Sequence, residues 1–192
     1  MLKRVAQFVF NSQGWTYENK VGDFGPKCIL VVAPHTSNWD YSHGLVFFEK
    51  IGIPAKIAMK KELFVFPIKQ FIEPLGALAI DRGKTTDGKK SSVEAMAELF
   101  DQYDELILVI TPEGTRKKVD QWKTGFYHTA KMANVPIVIG HLDYEAKKGV
   151  IGKIMYPSDD MEKDMQEIMQ YYKENGVGKF KDNFSIDKRF MQ

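Results

Sequence analysis

The sequence predicts a single α/β domain in which helices flank a central sheet, largely parallel or mixed. Three apolar segments of strand length support this prediction, at residues 28–33, 76–80 and 106–110. They are continuously apolar, as strands buried on both faces are. Segments with the spacing of amphipathic helices follow them along the chain. Such an alternation of strands and helices is typical of α/β domains.

Length and composition indicate one enzyme-sized domain spanning residues 1–192. The 192 residues, 44% of them hydrophobic, are enough for a sizeable core and leave little room for a second domain. The net charge of +2 is too small to indicate nucleic-acid binding. A single cysteine, Cys28, rules out an intramolecular disulfide and suits a reducing, cytoplasmic compartment.

A helix is predicted before the strand at residues 106–110. Ser91 and Glu94 form a capping-box pattern, which marks its start. Its apolar face has helical spacing and consists of Val93, Met96, Ala97 and Phe100. We expect this helix to be a crossover between neighbouring strands.

Two more helices are predicted towards the C-terminus. Thr124 caps the first, which ends at Asn134 before a strand that starts at Val135. The second starts at Ser158 and ends near Gly176. Its apolar side consists of Met161, Met165, Ile168, Met169 and Tyr172.

The first strand leads into a histidine and a carboxylate. Pro34 ends the strand, so His35 emerges at its carboxyl end, where ligands of open α/β sheets bind. Asp40 follows five residues later, a spacing that separates side chains by roughly 140° on one helix. We therefore predict that His35 lies in a turn and that Asp40 begins a helix, so that the carboxylate orients the imidazole as a base. The alternative is a histidine with a loop hydrogen bond and an ordinary helix cap.

The strand at residues 106–110 runs into a turn with anion-binding chemistry. Gly114 allows close backbone approach, Thr115 offers a hydroxyl, and Arg116 can hold a phosphate through two parallel N–H groups. Arg82 likewise follows the apolar segment at 76–80. A lone basic turn is usually a solvated surface. Three strand ends with complementary chemistry favour a site instead.

Four sequence blocks lie in order between residues 28 and 140. The first, at 35–40, has a histidine and an aspartate separated by four residues, with a serine after the histidine. The second, at 76–82, ends in Asp-Arg, and the third, at 112–116, reads Pro-Glu-Gly-Thr-Arg. The fourth is an apolar run around a proline at 135–138. Together they resemble the blocks of the glycerolipid acyltransferases typified by 1-acylglycerol-3-phosphate acyltransferase.

This resemblance implies an acyltransferase-like fold and a reaction. The donor would be an acyl thioester, either acyl-CoA or acyl carrier protein, and no cofactor or metal ion is implied. The acceptor would be the free hydroxyl of a lysophospholipid, with 1-acylglycerol-3-phosphate giving phosphatidic acid. His35 would act as general base, with Asp40 orienting it. No covalent acyl-enzyme is required, in keeping with Cys28, which is typical of a small buried hydrophobe.

The resemblance also implies an acceptor site. Arg82 and Arg116 would bind the acceptor phosphate, while Glu113, Gly114 and Thr115 shape the loop. We also expect Glu113 to orient Arg116 or the acceptor. The polar stretch that follows Arg82 could be a flap over this site.

Departures from the family pattern keep other acceptors open. Pro34 stands where the family usually has asparagine, and Thr111 where an aromatic is common. One alternative is therefore a lysolipid with another headgroup, including an amino-acid-derived one. A second is a non-catalytic protein that binds anionic lipid. His-Glu-x-x-His and Gly-x-Ser-x-Gly patterns, which would favour a metal-dependent or serine hydrolase, do not occur.

The implied acceptor lives in a membrane, so we expect peripheral membrane association. No stretch approaches the roughly 18 to 20 apolar residues that span a bilayer. Residues 1–20, which include Trp15, combine basic and large apolar groups as an interfacial anchor does; the alternative is a short helix packed on the core. Residues 60–72 are the second candidate, as a lipid-facing rim or acyl tunnel. His128 and His141 receive no assigned role.

Overall fold

The computed structural model describes residues 13–80 and 91–191, and a seven-stranded sheet lies at the centre of this part. Its order is β1-β7-β6-β2-β5-β3-β4. The strands are β1 (Thr16–Asn19), β2 (Lys27–Val32), β3 (Ala55–Lys60), β4 (Ala77–Ile80), β5 (Leu106–Ile110), β6 (Ile137–Asp143) and β7 (Lys148–Met155). The helices in the described ranges are α1 (Trp39–Lys50), α2 (Ile68–Ile72), α3 (Ser92–Gln102), α4 (Gly125–Ala133) and α5 (Met161–Asn175).

The sheet is mixed, and its parallel part defines one functional edge. Strands β2 to β6 all run in the same direction, whereas β7 pairs antiparallel with β6, and β1 runs with β7. The carboxyl ends of five strands therefore meet at one edge of the sheet, which we call the carboxyl edge. The predicted α/β domain with a sheet flanked by helices is confirmed.

The central strand β2 is buried on both faces, as its continuous apolar sequence predicts. Ile29 and Val31 belong to a core that also contains residues of α3, α4 and α5. Cys28 and Leu30 face the other way, against Phe47 of α1 and its neighbours. Helices therefore cover both faces. Burial raises the pKa of the Cys28 thiol to about 12, so this cysteine behaves as a small hydrophobe.

Local sequence signals placed most helix ends correctly. The Ser91–Glu94 capping box is present with both of its hydrogen bonds. Asn134 ends α4 in the left-handed conformation, with φ of 52°. Helix α5 starts later than predicted, because the carboxylate of Asp160, and not Ser158, caps it by accepting the Lys163 N–H at 3.0 Å. The apolar side predicted for α5 is in the core.

Helix α3 connects the strands at 77–80 and 106–110, but the expectation that it joins neighbouring strands is wrong. These strands, β4 and β5, are not neighbours, because β3 lies between them and pairs with both. Strand β5 is instead adjacent to β2 over five residue pairs. This pairing matters for function, because it places the turns that follow β2 and β5 side by side.

The two predicted membrane segments differ in how much of them the structure describes and in how exposed their aromatic side chains are. Residues 1–12 lie outside the described residues, and Trp15 is buried with Val46 and Leu142. Trp15 itself is therefore not available as an interfacial side chain, whereas the anchor and the core-packed helix stay open as predictions for residues 1–12. In the segment at 60–72, by contrast, Phe66 is 81% exposed. Within the described ranges, no helix is long and apolar enough to cross a bilayer.

Candidate active site

His35 and Asp40 meet at the carboxyl edge, as their spacing predicts. His35 lies in the loop after β2, and Asp40 in the first turn of α1. The imidazole Nδ1 is 3.0 Å from Asp40 Oδ2. The imidazole is partly exposed, with 21% of its side chain accessible, whereas the carboxylate has only 7%. A buried carboxylate thus holds an imidazole that solutes can reach.

The Asp40 carboxylate is surrounded by hydrogen-bond donors. Oδ2 accepts the backbone N–H groups of Thr36 and Ser37, each at 2.8 Å, in addition to His35. Oδ1 accepts the hydroxyl of Tyr144 at 2.6 Å. Because the carboxylate acts as acceptor throughout, Nδ1 of His35 carries a proton and Nε2 is the nitrogen left to accept one. Asp40 therefore does more than an ordinary helix cap does.

The β2–β5 pairing brings Glu113 against the histidine loop. Glu113 Oε1 accepts the backbone N–H of His35 at 2.9 Å. Its other oxygen, Oε2, is buried and has no hydrogen-bond partner in the described part of the chain. Burial raises the pKa of Glu113 to about 7, although the His35 N–H acts in the opposite direction. The sequence analysis did not name this contact, and the expected role of Glu113 toward Arg116 or the acceptor stays a prediction.

The turn after β5 has the geometry of a tight backbone loop. Gly114 adopts φ of 66°, and its N–H donates to the Thr111 carbonyl at 3.1 Å. A Cβ on Gly114 would lie 2.9 Å from Lys123 Nζ, so glycine also makes room for that ammonium group. Arg116 is exposed beside them. Lys123, which lies beyond the recognisable block, is a second cation here that sequence reasoning missed.

The structure does not test the predicted role of Arg82, and it places the two unassigned histidines away from the His35 loop. Arg82 and the stretch that follows it to residue 90 lie outside the described residues. His128 is exposed on α4. His141 is buried in β6, where its Nδ1 lies 2.9 Å from the Tyr171 hydroxyl, and burial lowers its pKa to about 4. In the ranges that the structure describes, no group of three His, Cys, Asp or Glu residues could hold a metal ion.

A basic turn beside a His–Asp pair at the carboxyl edge of an α/β sheet defines an enzyme-type site. Residues 23–139 match the family model described as Acyltransferase, and the chain belongs to this family. The fold is similar to the crystal structure of the 1-acyl-sn-glycerophosphate (LPA) acyltransferase PlsC from Thermotoga maritima. The TM-score is 0.57 at 18% identity, and the match covers 90% of this chain and 74% of that one. Comparison with curated proteins gave no match.

Glu113 gives the folded protein a specific pH dependence. Its pKa is about 7 in the folded state against an ordinary value of 4.5, so folding favours the protonated carboxyl. Its contribution to the free energy of unfolding is therefore complete below about pH 4.5 and is lost as the pH rises through about 7. We expect Glu113→Gln to remove this decline, which amounts to about 3 kcal/mol. Chemical denaturation at a series of pH values measures it.

Glu105→Gln is the matched control, because Glu105 is exposed. This variant should retain the wild-type pH dependence. If Glu113→Gln also retained the wild-type pH dependence, the raised pKa of the buried Glu113 carboxyl would be disproved.

Proposed function

We propose that this acyltransferase moves an acyl chain from an acyl thioester, CoA or acyl carrier protein, to the free hydroxyl of a lysophospholipid. The acceptor we infer is 1-acylglycerol-3-phosphate, which gives phosphatidic acid. The proposal depends on one observation above all, the 3.0 Å contact between His35 Nδ1 and Asp40 Oδ2 in a member of the acyltransferase family. A non-catalytic lipid-binding protein would have no need of an oriented base.

In the proposed reaction, His35 Nε2 takes the proton of the acceptor hydroxyl as its oxygen attacks the thioester carbonyl carbon. The carbon–sulfur bond then breaks, and the imidazolium returns its proton to the departing thiolate. The products are an ester and a free thiol. Asp40 stabilises the imidazolium that exists between these steps, as a buried carboxylate does in other base-assisted acyl transfers.

Direct transfer fits the side chains near the site. Cys28 is fully buried in β2, and its raised pKa disfavours the thiolate that a covalent acyl-enzyme would need. Ser37 Oγ accepts the Trp39 N–H at 3.1 Å, a turn contact two residues along the chain, just before α1. Neither residue has the environment of an activated nucleophile.

The turn after β5 is the proposed binding site for the acceptor phosphate. Arg116 offers a planar guanidinium that can bind a phosphate through two N–H groups, and Lys123 adds a second positive charge. The left-handed backbone of Gly114 and the hydroxyl of Thr115 complete the loop. By the family resemblance, Arg82 would contribute a further cation.

The distribution of exposed apolar side chains supports a membrane-facing carboxyl edge. Val65, Phe66 and Ile68 follow the carboxyl end of β3 and are 54%, 81% and 45% exposed. Trp39, in the first turn of α1, is 48% exposed, and Phe180, whose N–H donates to Thr36 Oγ1, is 53% exposed. Trp39 and Phe180 lie beside the His35 loop, where a lipid acceptor has to arrive, and the other three side chains lie in the segment that follows the carboxyl end of β3.

Positive charges accompany these apolar groups. Lys179 Nζ lies 4.9 Å from the centre of the Trp39 ring, and Lys61 and Lys69 are exposed beside the Phe66 segment. Exposed aromatic groups next to lysines are typical of proteins that rest on anionic lipid surfaces. We therefore infer that the carboxyl edge docks on an anionic bilayer.

Replacing the base tests the reaction. His35→Ala should lower the turnover number about 10²- to 10⁴-fold with little change in acceptor KM, because general-base catalysis contributes about that much. The measurement is thiol release from palmitoyl-CoA in mixed micelles, with and without 1-acylglycerol-3-phosphate. His128→Ala is the matched control at an exposed position.

Three results of that assay would count against parts of the proposal. Unchanged turnover in His35→Ala would disprove the base. Thiol release with other lysolipids but not with 1-acylglycerol-3-phosphate would show that the acceptor has another headgroup. If the protein binds lipid but releases thiol from neither acyl-CoA nor acyl carrier protein donors, the lipid-binding alternative would be favoured.

Arg116 tests the acceptor site. Arg116→Ala should raise the acceptor KM about tenfold or more and leave the donor KM unchanged, because a phosphate contact is lost. Arg116→Lys should recover only part of the affinity, since lysine cannot form the paired contact. Steady-state kinetics with varied acceptor measures both. If both variants kept the wild-type acceptor KM, the phosphate site would be disproved.

Phe66 tests the docking surface. Phe66→Ser should weaken binding to vesicles with 30% anionic lipid about thirtyfold, because burying a phenyl ring in lipid contributes about 2 kcal/mol. Tyr156→Ser is the matched control, since Tyr156 is 68% exposed but follows Met155, which pairs with Ile137 at the opposite edge. Co-sedimentation measures binding. Equal losses in both variants would contradict an oriented surface.

A further inference from the structure

Tyr144 contacts the proposed catalytic pair from outside the four sequence blocks. It lies in the turn between β6 and β7, and its hydroxyl donates to Asp40 Oδ1 at 2.6 Å. His35 uses the other oxygen of the same carboxylate, at 3.0 Å. Asp40 therefore has two side-chain donors, one on each oxygen, and they come from positions more than 100 residues apart along the chain.

The backbone around Tyr144 fixes the direction of its hydroxyl. The Tyr144 N–H donates to the Val177 carbonyl at 3.1 Å, which ties the turn to the segment after α5. Asp143 Oδ1 accepts the next two N–H groups at 2.9 Å each and closes the turn. The ring packs edge-on against Trp15, with ring centres 5.0 Å apart. Contacts with distant parts of the chain thus fix the position of the hydroxyl.

Burial and the contact with Asp40 raise the pKa of Tyr144, so its hydroxyl stays protonated and remains a donor at neutral pH. A donor on Oδ1 disperses part of the negative charge on Asp40. Less charge on the carboxylate means weaker stabilisation of a protonated imidazole at His35. Tyr144 therefore opposes protonation of the base while it also fixes the carboxylate in place.

We propose that Tyr144 is a positioning residue, which acts through Asp40 to keep His35 in its neutral, proton-accepting form at lower pH. This inference rests on the proposed function, in which His35 Nε2 accepts the hydroxyl proton. It extends the His–Asp pair to a Tyr–Asp–His chain of hydrogen bonds. The reaction itself is unchanged, because Tyr144 does not touch the reacting atoms.

Other titratable groups face this chain from each neighbouring element. They are His43 on α1, Glu113 after β5, and Lys179 in the segment after α5, each of which interacts electrostatically with Asp40, His35 or His43. All three are retained when only the Tyr144 hydroxyl is removed. A change in pH dependence in that variant therefore reports on the hydroxyl.

The test is Tyr144→Phe, which removes the oxygen and keeps the ring that packs on Trp15. We expect the acidic limb of the kcat profile to move up by about half a pH unit to one unit, and kcat at pH 6 to fall several-fold with KM unchanged. The NMR signal of the His35 ring can be assigned among the four histidines by its loss in His35→Gln. Titration of that signal needs no substrate, and its midpoint should move up by the same amount in Tyr144→Phe.

Tyr127→Phe is the matched control. Tyr127 also donates to a buried aspartate, Asp164, at 2.7 Å, but between α4 and α5. Tyr127→Phe should leave the pH profile of kcat and the NMR titration of His35 as they are in the wild type. In an Asp40→Asn background, Tyr144→Phe should have no further effect on the His35 titration, because the charge through which it acts is gone.

The outcomes separate the two levels of the proposal. If His35→Ala abolishes turnover but Tyr144→Phe titrates as the wild type does, Tyr144 is a structural contact and this inference is wrong. If Tyr127→Phe shifts the profiles equally, the effect is a general loss of stability and the inference is again wrong. If His35→Ala retains turnover, the base assignment fails, whereas the NMR titration still decides whether Tyr144 controls the protonation of His35.

Discussion

The hydrogen bonding of the Asp40 carboxylate is the interaction on which the site depends. A buried carboxylate without donors is strongly unfavourable, so the surrounding loop has to bring donors to it. The N–H groups of Thr36 and Ser37 point at Oδ2 because the chain turns directly into α1 at this position. The same turn sets the direction of His35. The burial of the carboxylate and the orientation of the proposed base are therefore consequences of one set of contacts.

Parallel strand order extends this local arrangement across the molecule. Because β2 and β5 are adjacent and parallel, the loops after them are neighbours, and Glu113 reaches the backbone of His35. The basic turn at Arg116 likewise follows the carboxyl end of β5, and the segment with the exposed apolar residues follows the carboxyl end of β3. Under the proposed function, the reaction, acceptor recognition and lipid contact share this side of the sheet.

The chain beyond the four blocks completes the site. Gly178 packs so closely on Thr36 that a Cβ there would lie 2.9 Å from its side chain, and Phe180 donates its N–H to Thr36 Oγ1. Val177 holds the Tyr144 turn. The segment after α5 therefore supports the histidine loop from outside. Residues that carry no motif contribute directly to the geometry of the residues that do.

The sequence alone determined the α/β class, most helix ends and the meeting of His35 with Asp40. These depend on local rules, namely apolar periodicity, capping patterns and the reach of a five-residue turn. Only the tertiary structure decided that β3 separates β4 from β5, that Trp15 is buried, and that Glu113 and Tyr144 contact the pair. The Glu113 contact joins residues that are 78 positions apart along the chain, and the Tyr144 contact joins residues that are 104 positions apart. No local pattern encodes such distances, because strand order and packing set them.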